Sequence, residues 1–223
     1  DSSTSRGLGD VYKRQTIAPY AKTGEVHLRV TASAENEKAC RKLIKPVVKE
    51  LKKRFGENVF ATDESKTLEE AVIDLLKEKD LKLSLAESLT GGMIAQRIVN
   101  VSGASEVFGY GFVTYSNKAK HKCLGVKKRT LKEQGAVSAK CAREMAKGAC
   151  KASGADISIS VTGLAGPGGG TKETPVGTVF MGCCYKGKAI AKEFHFTGNR
   201  MRIREQTTAH ALAMLRDCII MSR

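Results

Sequence analysis

"LSLAESLTGGMIAQRI", residues 83–98, changes its pattern halfway. A compact apolar run with the look of a strand gives way, through Ser88 and the pair Gly91 and Gly92, to a segment of helical period reaching about Val101. That strand, tight turn and helix is the repeating joint of an α/β layer fold. A serine in such a turn projects its hydroxyl beyond the sheet, while the backbone N–H groups that follow point at whatever the hydroxyl attacks. Glycines at 91 and 92 would let an oxyanion or a phosphate oxygen come close to those amides. Taken alone, S-x-T-G-G is read more simply as a helix cap formed by Ser88 or Thr90, so the surrounding chain has to decide.

Downstream, strands and helices alternate. "VFGYGFVTYS" (107–116) reads as a strand, "NKAKHKCLG" (117–125) as a short helix stopped by Gly125, and Ser138 caps a longer helix that Gly154 ends. "DISISVTG" (156–163) is an apolar strand feeding the glycine-rich loop "LAGPGGGTKETPVG" (164–177). "TVFMGCCY" and "KAIAKEFHF" form a hairpin turned at "KGK" (186–188), and a last helix runs from Arg202 to Met221. The expected domain is α/β and three-layered, with a mixed, mainly parallel sheet closed by an antiparallel edge. Ligands of such sheets gather at the carboxyl ends of the strands. Ser88, Tyr115 and Thr162 all fall there, so one pocket can hold all three.

Upstream, Val26, Leu28 and Val30 alternate with His27, Arg29 and Thr31 as in a half-buried strand, following a strand pattern that begins at Thr16. Ala39, Leu43, Ile44, Val47, Val48, Leu51 and Phe55 keep a helical period, with Pro46 a possible kink and Gly56 a stop. "NVFAT" (58–62) reads as a further strand. "DESKTLEEAV" (63–72) marks a boundary and a new helix, with Thr67 and Glu70 spaced as a capping box and the helix ending at Lys79. Two domains are therefore expected, 16–64 and 65–223. Residues 1–15, "DSSTSRGLGDVYKRQ", show no amphipathic period. One reverse translation of "DVYKRQ", GAT GTG TAT AAG AGA CAG, resembles the transposon mosaic end used in sequencing libraries. The segment is read as adapter-derived and non-native, and the natural chain as extending further upstream.

Lys and Arg exceed Asp and Glu by 38 − 23 = 15. The excess fits a nucleic-acid partner, an anionic small substrate or a solvated surface. In "CRKLIKPVVKELKKRF" (40–55) and "NKAKHKCLGVKKRTLK" (117–132) the lysines interleave with apolar residues at helical spacing, which favours solvated helix faces. No run approaches eighteen apolar residues, which argues against a membrane span. Seven cysteines without a CxxC pair read as reduced thiols in a cytoplasmic protein. The four histidines are scattered, which argues against a zinc site.

A serine nucleophile needs a base, and no histidine lies in a motif placed to serve it. In "TYSNKAK" (114–120), Tyr115 ends a strand and Lys120 lies one helical turn beyond Ser116, so both can face one cleft. A lysine desolvated there loses proton affinity and can act as a general base. On spacing alone, Lys118, Lys120 and Lys122 read as a solvated helix face.

"AESLTGG", "GFVTYSNKAK", "LGV…TL…GAVS", "SVTGLAGPGGGTKETPVGTV" and "FTGNR" follow one another as they do in the CinA (competence/damage-inducible) family, and the chain from Leu68 to Ile220 resembles that family's C-terminal domain. The resemblance implies a nicotinamide-nucleotide amidase, which converts nicotinamide mononucleotide to nicotinate mononucleotide and ammonia in pyridine nucleotide recycling. It implies Ser88 as nucleophile, Lys120 as its base and Tyr115 assisting the proton or orienting the lysine. Thr90, Gly91, Gly92, Thr162, Gly166 and Arg200 become the substrate-binding set, with Arg200 at the phosphate. No metal or organic cofactor is implied, and a homodimer is. Leu89 and Asn199 stand where many relatives have cysteine and aspartate. The upstream segment resembles the family's small KH-like α/β domain, and the N-terminal domain of full-length relatives is missing. KH recognition of nucleic acid uses a G-x-x-G loop, and residues 16–66 contain none. Nucleic acid is therefore not the expected partner, although a non-catalytic nucleotide- or nucleic-acid-binding protein is the alternative reading.

Overall fold

The structure is a computed structural model and describes residues 15–22, 25–62 and 66–221. The segment read as adapter-derived lies, apart from Gln15, outside the described residues, as does the domain boundary at 63–65. The chain divides between Thr62 and Asp63 into two compact units.

In the first unit, β1 (Gln15–Lys22) and β2 (Glu25–Ala32) form an antiparallel ribbon. The expected alternation is not followed: Val26 and Leu28 are exposed, and of the three apolar residues only Val30 is partly buried. Helix α1 (Glu37–Phe55) starts where the Asn36 side chain accepts the Ala39 N–H at 2.9 Å. It runs through Pro46 and ends at Gly56, whose φ of +53° suits a residue without Cβ. The strand expected at "NVFAT" does not form. Gly56–Asn58 winds into a single 3₁₀ turn, and Val59 gives its N–H back to the Gly56 carbonyl instead of to a ladder.

The second unit opens with α2 (Leu68–Glu78), where both halves of the capping box are made: Glu70 N–H to Thr67 Oγ1 and Thr67 N–H to Glu70 Oε2. The elements that follow are β3 (Leu83–Glu87), α3 (Met93–Val99), β4 (Phe108–Val113), α4 (Asn117–Leu124), α5 (Lys128–Glu133), α6 (Ala139–Ser153), β5 (Ile157–Gly163), β6 (Thr178–Tyr185), β7 (Lys188–His195) and α7 (Arg200–Met221). The sheet order is β4-β3-β5-β6-β7. The ladders of β3 with β4 and β5 are parallel, and those of β6 with β5 and β7 are antiparallel, so β6 alone opposes the other strands. Lys186 and Gly187, both at positive φ, turn the β6–β7 hairpin. Helix α7 begins two residues before the expected Arg202, because Asn199 caps it: its side chain accepts the Arg202 N–H at 2.9 Å. Helix α5 was not anticipated.

Helices α4 and α6 cover one face of the sheet, and α2, α3 and α7 the other. The α6 contact is unusually close. Ser158 and Ser160, alternate residues of β5, donate their hydroxyls to the α6 carbonyls of Ala146 and Ala142, both at 2.7 Å, and Thr162 donates to Ala136, ahead of the helix, at 2.8 Å. The helix surface they meet carries Ala142, Ala146 and Ala149, all fully buried. Among the described residues, no helix is long and apolar enough to cross a membrane.

Candidate active site

Strand β3 lies between β4 and β5 and runs parallel to both, so three strand ends open on one side of the sheet. Ser88 is the first residue past β3, and its N–H is held by the Val161 carbonyl of β5 at 3.1 Å. Past β4, Thr114 donates its N–H to the Glu87 carbonyl, and Ser116 caps α4 by accepting the Ala119 N–H. That cap points the first turn of α4 inward and buries Lys120 to 1% exposure. Lys120 Nζ lies 2.9 Å from Ser88 Oγ and 2.7 Å from the Thr114 carbonyl oxygen. Burial lowers the pKa of this amine by penalising its charged form, against a smaller raising contribution from Cys141.

A cavity of about 300 Å³ opens over the pair. Ser88, Tyr115, Lys120, Thr162, Gly166 and Arg200 all line it. Arg200 spans its mouth, donating from Nη1 to the Gly166 carbonyl at 2.7 Å and from Nη2 to the Tyr115 hydroxyl at 3.0 Å. Tyr115 thus meets Arg200, whereas the Lys120 amine meets Ser88 and the Thr114 carbonyl. The Thr162 hydroxyl donates to Ala136, which leaves only its acceptor lone pairs for a ligand.

Thr90, Gly91 and Gly92 do not line the cavity. Thr90 is fully buried. The Gly91 N–H closes the turn onto the Ser88 carbonyl at 3.1 Å. The Gly92 N–H goes to Glu87, whose carboxylate accepts from Gly92 at 2.9 Å, Ile94 at 3.2 Å and Ala95 at 2.9 Å. The start of α3, expected to face an external anion, is therefore filled by a carboxylate of the chain itself. The physical reason is the strand alternation: Glu87 points to the face opposite Ser88, directly beneath α3. A glutamate closing a wholly buried strand was the signal for this, since such a charge needs fixed partners.

Arg204, four residues after Arg200, was also unforeseen. Its Nε donates to the Leu89 carbonyl and its Nη2 to the Thr90 carbonyl, both at 2.9 Å. Among the described residues, no group of three or more His, Cys, Asp or Glu side chains could hold a metal ion. A buried amine against a serine hydroxyl at the mouth of a parallel sheet is the equipment of a serine–lysine nucleophile.

Residues 65–219 match the family described as the CinA C-terminal domain, and residues 5–61 match the damage-inducible protein CinA KH domain. A relative from Clostridium perfringens, named for competence-damage induction, is 52% identical over 201 residues, which are 90% of this chain and 48% of the relative. A CinA-like protein of Kosmotoga olearia is 47% identical over 92% of this chain and 50% of its own length. The chain thus spans about half the length of the curated relatives it matches. The crystal structure of the competence damage-inducible protein A of Klebsiella pneumoniae is 34% identical, with a TM-score of 0.68 over 70% of this chain and 97% of that one. A competence/damage inducible protein from Agrobacterium tumefaciens is 41% identical, with a TM-score of 0.66 over 69% of this chain and 93% of that one. By motif order, fold and these matches together, the chain belongs to the CinA family and carries its C-terminal domain behind its KH domain.

Proposed function

We propose that this chain hydrolyses the carboxamide of nicotinamide mononucleotide, with Ser88 as nucleophile and Lys120 as general base. The observation that carries the proposal is the 2.9 Å approach of a buried, desolvated amine to a serine hydroxyl on the cavity wall. As a neutral amine, Lys120 accepts the Ser88 proton while Oγ attacks the carboxamide carbon. The same proton then passes to the departing nitrogen, and ammonia leaves an acyl-serine ester. A water molecule, deprotonated by Lys120 in its turn, attacks the ester; Lys120 returns that proton to the departing Ser88 Oγ, and the acid product leaves and ionises to the carboxylate. The Thr114 carbonyl, which holds Nζ at 2.7 Å, keeps the amine aimed through both steps. Arg200 at the mouth uses two of the five donors of its guanidinium on the cavity walls, and the others are available to a phosphate.

The substrate identity comes from the family resemblance; the site geometry supports the reaction class. The same reading includes a homodimer in the cytoplasm, which light scattering and cell fractionation address. The test of the reaction is ammonia release from nicotinamide mononucleotide by wild type and by Ser88→Ala. The variant is expected to lose activity with its melting temperature unchanged, because only the attacking oxygen is removed from a turn that keeps all its backbone bonds. Activity within about tenfold of wild type would exclude covalent catalysis at Ser88.

A further inference from the structure

The turn carrying Ser88 is gripped at both polar ends by residues that do not line the cavity. From beneath, the Glu87 carboxylate takes the amides of Gly92, Ile94 and Ala95. From α7, the Arg204 guanidinium takes the carbonyls of Leu89 and Thr90. The turn needs such holding, since Gly91 and Gly92 lie at φ of +61° and +104°, where the backbone is in no regular ladder. Among the described residues Arg204 makes no ion pair, so its charge is directed at these two carbonyls.

A trans peptide is planar, with its N–H opposite its C=O. Drawing the Leu89 carbonyl toward α7 therefore turns the Thr90 N–H the other way, and closing the Ser88 carbonyl onto Gly91 does the same for the Leu89 N–H. Those two amides have no acceptor among the described residues, and Leu89 borders the cavity. The Leu89 amide is therefore the donor of the turn that can meet an oxyanion forming beside Ser88 Oγ.

We propose that Arg204 is a positioning residue for this turn: its bidentate hold on Leu89 and Thr90 keeps Ser88 Oγ against Lys120 and the free Leu89 amide facing the oxyanion. The proposal rests on the serine-nucleophile reading, and its test separates the two. Wild type, Arg204→Gln and Arg204→Lys, each as the full chain, are compared in the rate at which an alkyl fluorophosphonate phosphonylates Ser88, in kcat and KM for ammonia release from nicotinamide mononucleotide, and in melting temperature. Phosphonylation forms a bond from Ser88 Oγ to phosphorus and expels fluoride, the hydroxyl proton passing to Lys120, so it reads the nucleophile and its oxyanion donor without the natural substrate. Misplacement of a reacting group by about 1 Å costs up to about a hundredfold. Arg204→Gln is accordingly expected to slow labelling and kcat together by ten- to a hundredfold with KM nearly unchanged. Arg204→Lys, which can reach one carbonyl, is expected to recover part of both rates. A loss that followed melting temperature alone, with labelling at the wild-type rate in the folded variant, overturns the proposal; if the Gln variant fails to fold, the Lys variant decides by the same ratio. A wild type that is labelled yet releases no ammonia overturns the substrate assignment, and the labelling ratio still decides the role of Arg204. A wild type that does neither overturns the serine reading and the proposal with it.

Discussion

Lys120 sets the pH dependence that the proposed chemistry must show. Its amine is active only when neutral, and burial lowers its pKa, so the rate should rise with pH through that lowered value and level off before the range of an exposed lysine. In Lys120→Met the rising limb should vanish, and the rate should fall by about 10²- to 10⁴-fold, the usual contribution of a positioned general base. A rising limb retained in the variant would move the base elsewhere. The pairing of Ser88 with Lys120 was legible through the family resemblance; spacing alone left Lys120 on a solvated face. The fate of Thr90, Gly91 and Gly92 was not, because it depends on which face of β3 takes Glu87. Nor was the Arg204 clamp, which joins residues 115 apart by contact with main-chain carbonyls that any sequence would offer.

At the scale of elements, capping residues and period were the dependable signals. Thr67 and Ser138 each begin the helix they announce. The failures were short segments with no such signal: α5, six residues long without a capping side chain, and "NVFAT", apolar enough for a strand but given no ladder to join. The closeness of α6 to the sheet was also invisible, since it depends on a strand brought in from later in the chain. Gly182 of β6 pairs with Ser160, and a Cβ there would lie 2.4 Å from the Ala142 carbonyl oxygen and 2.6 Å from Ser160 Oγ. The obstructing atoms are helix backbone and a hydroxyl already bonded to it, so they cannot yield cheaply. Gly182→Ala should cost about 1–3 kcal/mol, the usual range for overpacking a core. Urea unfolding should show a lower midpoint at unchanged slope. A midpoint equal to wild type would mean that α6 can lift off the sheet.

At the scale of the whole chain, every residue of the candidate site belongs to the unit beginning at Asp63. The matched Klebsiella chain is covered over 97% of its length by 70% of this chain, so a chain little more than two thirds as long as this one has been crystallised. A fragment of residues 66–223 should accordingly unfold in one cooperative step and keep kcat/KM within about twofold of the full chain. Where the cut falls matters. Starting at Lys66 preserves Thr67 and the capping box that closes the first turn of α2, whereas starting at Leu68 removes a cap of about 1 kcal/mol. The two fragments should therefore differ in melting temperature but not in pH profile, because α2 lies on the sheet face opposite Lys120 and α4. If the longer fragment folds yet loses more than tenfold in kcat/KM, the first unit contributes to the reaction, and a site confined to residues 88–204 cannot be the whole of it.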